Sequence, residues 1–263
     1  ALPSTPPRET EQYMFSSPLD LWDAVVDWPR TSGSASDNAN GGTAATSYRS
    51  PFSSRDASQQ AEFVRFCDAT TVDAAETEEG RRACWAANVH GVANLCRVAA
   101  SHRITLVHVS SDYVFDGTKT APYLEEDARR AVNVYGSMKI ATEDIVRQAN
   151  PESLIVRVSG LYGLAGSAGK GGNFVETMLR LAREGNPVRV VADQTTAPTN
   201  TAEIAEALLP LVRDGMRGTA HLAAGEGISW HAFAAAIFEI AGVSPQLEAV
   251  TTADFGGPVT RPM

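Results

Sequence analysis

Hydrophobic and polar positions divide the chain near residue 70. Beyond that point, apolar runs with two different periods alternate. Residues 81–101 carry apolar side chains at helical spacing, and "ITLVHVS", residues 104–110, is a β-rich run that ends in polar side chains. The pattern continues with a helix over 133–149, the strand "SLIVRVS" over 153–159, a helix over 173–184 and a strand over 187–192. A helix over 201–215, a strand over 218–224 and a helix over 229–242 complete it, the last opening on a Ser229 N-cap and closing on Gly242. Apolar strands alternating with helices predict an α/β fold: a doubly wound, Rossmann-type, mainly parallel sheet with helices on both faces. No internal repeat recurs at a fixed period.

Residues 1–69 read differently, loaded with Ser, Pro, Thr, Asn and Gly, and their composition is that of linker or disorder. Only residues 19–28, "LDLWDAVVDW", carry the pattern of a short amphipathic helix. The segment is expected not to complete the sheet, so the N-terminal strands are atypical or missing and the sheet's apolar surface is left partly uncovered.

Composition narrows the function classes. With 263 residues, 43% of them hydrophobic, the chain can bury a substantial core. A net charge of −9 and a pI near 5.1 oppose binding to nucleic acid or an anionic membrane surface. No apolar run approaches the ~20 residues needed to span a bilayer, so no membrane partner is expected. Cys67, Cys84 and Cys96 form no close pair, and their odd number argues against a disulfide framework, which fits a reducing cytoplasm. The five His residues show no metal-ligand spacing, so no metal site is expected.

The candidate chemistry begins with Tyr135 and Lys139, four residues apart on an expected helix, where phenol and ammonium share one face. A phenol ionises near ~10 in water, and a neighbouring ammonium favours the phenolate, moving proton transfer toward physiological pH. Such a tyrosine can protonate a carbonyl oxygen as hydride reaches the carbon. In "VHVSSDYVFDG", residues 107–117, a strand runs straight into hydroxyl and carboxylate side chains at its carboxyl end, where open α/β sheets hold ligands. Ser111 can there donate to the same oxygen, and Asp112 can accept from a substrate hydroxyl. Alone, Ser111 and Asp112 suit a turn or a helix cap, and Tyr135 with Lys139 a solvated helix face; the combination points to chemistry.

The chain resembles the dTDP-4-dehydrorhamnose reductases, a family of the extended short-chain dehydrogenases, over about residues 70–263. The likeness is carried by "TTVDAAETE" (70–78), "NVHGVANL" (88–95), "VHVSSDYVFDGT" (107–118), "NVYGSMKIATE" (133–143), "LIVRVSGLYG" (154–163), "VVADQTTAPT" (190–199) and "ISWHAFAAAIFEIAG" (228–242). It implies a dinucleotide-binding core over 70–172, a smaller C-terminal, mainly substrate-binding portion over 173–263, and NADPH as cofactor, with NADH the alternative. It also implies that Ser111 is the catalytic hydroxyl, Tyr135 the proton donor, and Lys139 the lysine that holds the nicotinamide ribose; Tyr135 and Lys139 thus bind cofactor too. Ser111, Asp112, Gly160 and Gln194 fall on the substrate side, Gln194 within "DQTTAPT" (193–199), which equally suits a strand-to-helix turn. The implied reaction reduces the 4-keto group of a deoxysugar nucleotide, dTDP-4-dehydrorhamnose to dTDP-rhamnose, for polysaccharide synthesis, with a homodimer as the expected assembly. An epimerase or dehydratase of the same superfamily usually follows the hydroxyl with Asp and then Glu, but here Tyr113 follows Asp112. The regulatory subunit of methionine adenosyltransferase looks similar over these motifs and would act by binding a partner enzyme.

Two departures stand out. The family usually carries Trp where this chain has Gly160, which removes an apolar wall. The family also begins with a strand and a Gly-x-x-Gly-x-x-Gly turn that receives the pyrophosphate, and residues 1–69 contain none, so weak NADPH binding is expected. Gly160, Gly163 and Gly166 reproduce that spacing, but downstream of the Tyr135–Lys139 pair, where a substrate-side loop is the better reading.

Overall fold

The computed structural model describes residues 13–16 as backbone and residues 72–102, 104–164, 172–257 and 259–262. The short helix expected over 19–28, the remainder of residues 1–69 and Gly166 lie outside the described residues. In chain order the elements are β1 (Tyr13–Ser16), α1 (Glu78–Trp85), a π-helical stretch (Ala86–Gly91), α2 (Val92–His102), β2 (Thr105–Ser111) and α3 (Val134–Ala149). Then come β3 (Leu154–Val158), β4 (Leu161–Tyr162), α4 (Phe174–Glu184), β5 (Val188–Val191), β6 (Thr195–Thr196), β7 (Thr199–Asn200) and α5 (Thr201–Arg213). The chain ends with β8 (Gly218–Leu222), β9 (Ile228–Ser229), α6 (Trp230–Ala241), β10 (Leu247–Val250) and α7 (Thr252–Phe255).

The main sheet has the order β1-β2-β3-β8 with every pairing parallel. Strands buried on both faces explain the continuous apolar runs of β2 and β3. Their side chains alternate between two cores. Leu106 and Ile155 meet Val92, Cys96, Ala99 and Val146 of α2 and α3. Val107, Val109, Leu154 and Val156 meet Ile204, Leu208 and Val212 of α5.

The N-terminal strand is atypical, as expected, but not missing. Tyr13–Ser16 pairs in parallel with β2, Tyr13 opposite Thr105 and Ser16 opposite His108, so the segment does supply a strand. The physical reason is local: "YMF" is a short β-prone apolar run inside polar sequence, enough for four residues of ladder. Nor is β2 uncovered, since Leu106, Val107 and Val109 are at most 2% exposed.

A second core joins α4, β5, α6 and β10. Met178, Val188, Val190, Phe233, Ile237 and Phe238 pack together, and β5 pairs in parallel with β10. Asn173 and Glu176 form a capping box on α4, and α6 runs from a Ser229 cap to Gly242 at φ 66°. Residues after 173 therefore divide, because α5 and β8 return to the main sheet. The helix expected over 81–101 is interrupted by Ala86–Gly91, where the Asn88 carbonyl accepts from Thr142 of α3 at 3.1 Å. Among the described residues, no helix is long and apolar enough to cross a membrane.

Candidate active site

Two elements bring the chemistry together. The Asn133 side chain accepts from Gly136 N at 2.8 Å and starts α3 where Tyr135 enters its first turn. A side chain at position 136 would lie 2.1 Å from the Tyr113 carbonyl oxygen, so the glycine lets the helix start press on the turn Asp112–Val114. Tyr113 and Tyr135 then meet edge to face with centroids 5.6 Å apart. One helical turn on, the buried Lys139 Nζ lies 5.8 Å from the Tyr135 ring centroid and donates to the Val109 carbonyl at 3.0 Å.

At the carboxyl end of β2, Ser111 caps the following turn. Its Oγ accepts from Tyr113 N at 3.3 Å and donates to Asp112 Oδ1 at 2.9 Å. The other Asp112 oxygen accepts from Ser159 Oγ at 2.6 Å. Ser159 also accepts from Ala197 N at 3.2 Å and faces Thr196 Oγ1 at 3.3 Å. Beside Asp112 lies a cavity of about 480 Å³ whose wall includes Phe115, Tyr123, Arg157, Ser159, Thr196 and His221.

Burial dominates the electrostatics. It pushes the Tyr135 phenol up, and the charge of Asp112 adds to that, while hydrogen bonding from Ser111 pulls the other way. Burial lowers Lys139 to about 8, with Glu143 opposing. Burial also raises Asp112, against hydrogen bonds from Ser159 and Ser111. The net direction for the phenol is therefore upward, with the Lys139 ammonium bonded to the Val109 carbonyl.

Ser111, Asp112, Tyr135 and Lys139 thus converge as the sequence suggests, but the other two candidates behave differently. Gly160 has φ +51°, and a Cβ there would lie 2.6 Å from Thr196 Oγ1 and 2.9 Å from the Ala197 carbonyl oxygen. It is a close-packed turn between β3 and β4, and Gly163, the next glycine of the downstream pattern, is pressed in the same way on Thr201. Gln194 is 5% exposed and is not part of the wall beside Asp112; its Nε2 donates to Thr252 Oγ1 at 2.9 Å. Asp193 accepts from Thr252 N and Oγ1, so this pair ties the connection between β5 and β6 to α7.

Sequence reasoning missed a buried ion pair behind the site. Glu143 and Arg157 are 0% and 3% exposed, joined by Nε to Oε1 and Nη2 to Oε2 bonds of 2.9 Å each. Arg157 Nη1 also donates to the Glu125 carbonyl at 3.0 Å and lies 3.1 Å from His221 Nε2, fixing the cavity wall. The available signal was spacing: residues 135, 139 and 143 continue one helix face.

The profile of the family described as RmlD substrate binding domain matches residues 55–263, starting upstream of residue 70. The chain is 37% identical over 204 residues to a dTDP-4-dehydrorhamnose reductase of Sinorhizobium fredii, covering 73% of this chain and 67% of that protein. With one of Mycobacterium tuberculosis it shares 40% over 198 residues, 73% of this chain and 63% of the relative. Among solved structures, the dTDP-4-dehydrorhamnose reductase of Bacillus anthracis in complex with NADP superposes with a TM-score of 0.68 at 35% identity, over 73% of this chain and 66% of that one. The chain thus spans about two thirds of the length of these relatives.

Proposed function

Because the chain belongs to the dTDP-4-dehydrorhamnose reductase family, through its RmlD substrate binding domain, we propose that it reduces the 4-keto group of a deoxysugar nucleotide with NADPH. The observation that carries this reading is the convergence of Ser111, Tyr135 and Lys139 at the carboxyl end of β2, with Asp112 opening on a cavity. The site fits the cofactor. An ammonium has three donors and Lys139 places one on Val109, so the others can take ribose hydroxyls beside Tyr135. When bound, NADPH supplies the hydride.

The remaining chemistry belongs to the chain. Tyr135 gives its proton to the carbonyl oxygen, Ser111 donates to the same oxygen, and Asp112 accepts from a sugar hydroxyl. A high phenol pKa suits this direction, since Tyr135 enters the reaction protonated. A reducing compartment, the cytoplasm, fits the buried Cys84 and Cys96, and a homodimer is the proposed assembly. The test is NADPH consumption with dTDP-4-dehydrorhamnose and identification of dTDP-rhamnose by chromatography. A protein that consumes NADPH no faster with the sugar nucleotide than without it would refute the assignment.

A further inference from the structure

We propose that Asn133 is a positioning residue for Tyr135 and that it acts through residues 259–262, which grip the first turn of α3 and reach the cavity beside Asp112. The inference rests on the reductase reading above. Proton transfer from Tyr135 needs its oxygen within ~2.6–3.2 Å of the substrate oxygen, so whatever fixes the start of α3 fixes the reaction geometry.

The Asn133 side chain uses both ends of its amide. Its Oδ1 accepts from Gly136 N at 2.8 Å, which caps α3, and its Nδ2 donates to the Thr260 carbonyl at 2.9 Å. The cap needs an acceptor, which Asp would supply equally well. The bond to Thr260 needs a donor, which Asp lacks. Arg261 then closes a ring. Its Nη2 donates to Asp73 Oδ1 at 2.7 Å, and the turn Ala74–Glu76 that follows brings Glu76 Oε1 to Val134 N at 2.8 Å. Asn133 and Val134 are thus held by two segments far apart in sequence, and Tyr135 is the next residue. Pro262 stands in the cavity wall with Asp112, Ser159 and Thr196, while Val259 is buried. One segment therefore touches both the substrate space and the helix start that carries the proton donor.

Two simpler roles make different demands. Were Asn133 only a cap, Asp would serve as well, since the two rank alike at that position and a negative charge suits a helix N-terminus. Were residues 259–262 only packing, loosening them would leave α3 in place. The ring instead makes the first turn of α3 and the cavity wall one unit, which keeps Tyr135 in register with the substrate. Misplacing a reacting group by ~1 Å costs up to ~10²-fold in rate, so a small slackening of this unit is visible in turnover.

The test compares the full chain with its Asn133→Asp, Arg261→Met and Arg261→Lys variants, using NADPH and dTDP-4-dehydrorhamnose. Asn133→Asp is expected to lower kcat by ~10- to ~10²-fold while KM changes by less than ~3-fold. Its melting temperature should stay within about 5 °C of the parent's, because the cap oxygen remains. Arg261→Met should lower kcat in the same direction but less, and Arg261→Lys should restore most of it. The Arg261 and Asp73 side chains are 26% and 55% exposed, so Arg261→Met opens the ring at its surface side and decides the matter if Asn133→Asp does not fold. Hydrogen exchange followed by mass spectrometry reads the grip without turnover. Asn133→Asp should speed exchange both at residues 259–262 and in the first turn of α3 by ~3- to ~10-fold, the worth of one hydrogen bond, with β2 and β3 unchanged. A folded Asn133→Asp with the parent's kcat would overturn the proposal, as would exchange that quickens at residues 259–262 but not in α3. If the parent itself consumes no NADPH, the reductase reading fails and hydrogen exchange alone decides the grip.

Discussion

Glu143→Gln is expected to destabilise the fold by about 3–5 kcal/mol, the usual cost of leaving one member of a buried ion pair unpaired. Glu143 is fully buried and receives two 2.9 Å bonds from Arg157, one of 2.9 Å from Arg147 and one of 3.3 Å from Arg129. Glutamine keeps one acceptor but sets an amide donor against a guanidinium. Titration gives a second route to the size. Burial works to raise the carboxyl, yet the hydrogen bonds and charge of Arg157 hold it at about 2 instead of 4.5. At about 1.4 kcal/mol for each tenfold change in proton affinity, that difference is worth about 3 kcal/mol. The folded value lies below the unfolded one, so this stabilisation is complete above pH 4.5 and is lost as pH falls toward about 2.

Urea denaturation followed by far-UV circular dichroism measures the loss as a fall in midpoint with unchanged slope. The double variant Glu143→Met with Arg157→Met should recover most of it, since an apolar pair of similar volume removes both buried charges. The gap between parent and Glu143→Gln should also close between pH 4.5 and about 2. A Glu143→Gln variant within about 1 kcal/mol of the parent at pH 7, or a gap that ignores pH, would refute the reasoning.

Four further outcomes can be measured. Tyr135→Phe should cut turnover by at least ~10²-fold with the circular dichroism spectrum intact, and normal turnover would remove Tyr135 as the proton donor. Lys139→Met should weaken NADPH binding and turnover together, yet raise stability at pH 7 by about 1–3 kcal/mol, because the folded lysine sits at about 8 instead of 10.5. With that sign the parent gains stability as pH rises from 8 to 10.5, and a flat denaturation midpoint over that window would contradict it. Gly160→Ala should destabilise by about 1–3 kcal/mol, read as a lower melting temperature, through its left-handed backbone and the contact with Thr196. Finally, replacing residues 1–69 by a regular strand–Gly-x-x-Gly-x-x-Gly–helix unit should tighten NADPH binding in a fluorescence titration; micromolar affinity in the chain as written would show that the unit is not needed.

How far the sequence reveals this site depends on whether the signal is local. Tyr135 with Lys139 is local, because helical spacing alone puts two side chains on one face. Ser111 with Asp112 is nearly so, because a strand that ends in polar residues marks the ligand side of a parallel sheet. The strands β1 and β10 escape the pattern for the opposite reason: four residues, one run set in polar sequence and the other reading "LEAV", carry too few alternations to separate a strand from a loop. Arg157 is harder still. A charge inside "LIVRV" makes sense only once α3 crosses β3 and brings Glu143 to it, a meeting of residues 14 apart that no periodicity encodes.

Gly160 shows the same limit in a single residue. By the family resemblance alone it reads as an apolar wall that has been lost. In the fold it is a turn at φ +51° whose missing Cβ lets Thr196 and Ala197 approach β3, and that approach carries Ser159 onto the Ala197 amide and Thr196. The glycine thus permits a close backbone contact, and with it goes the Asp112–Ser159–Thr196 hydrogen-bond network on the cavity wall.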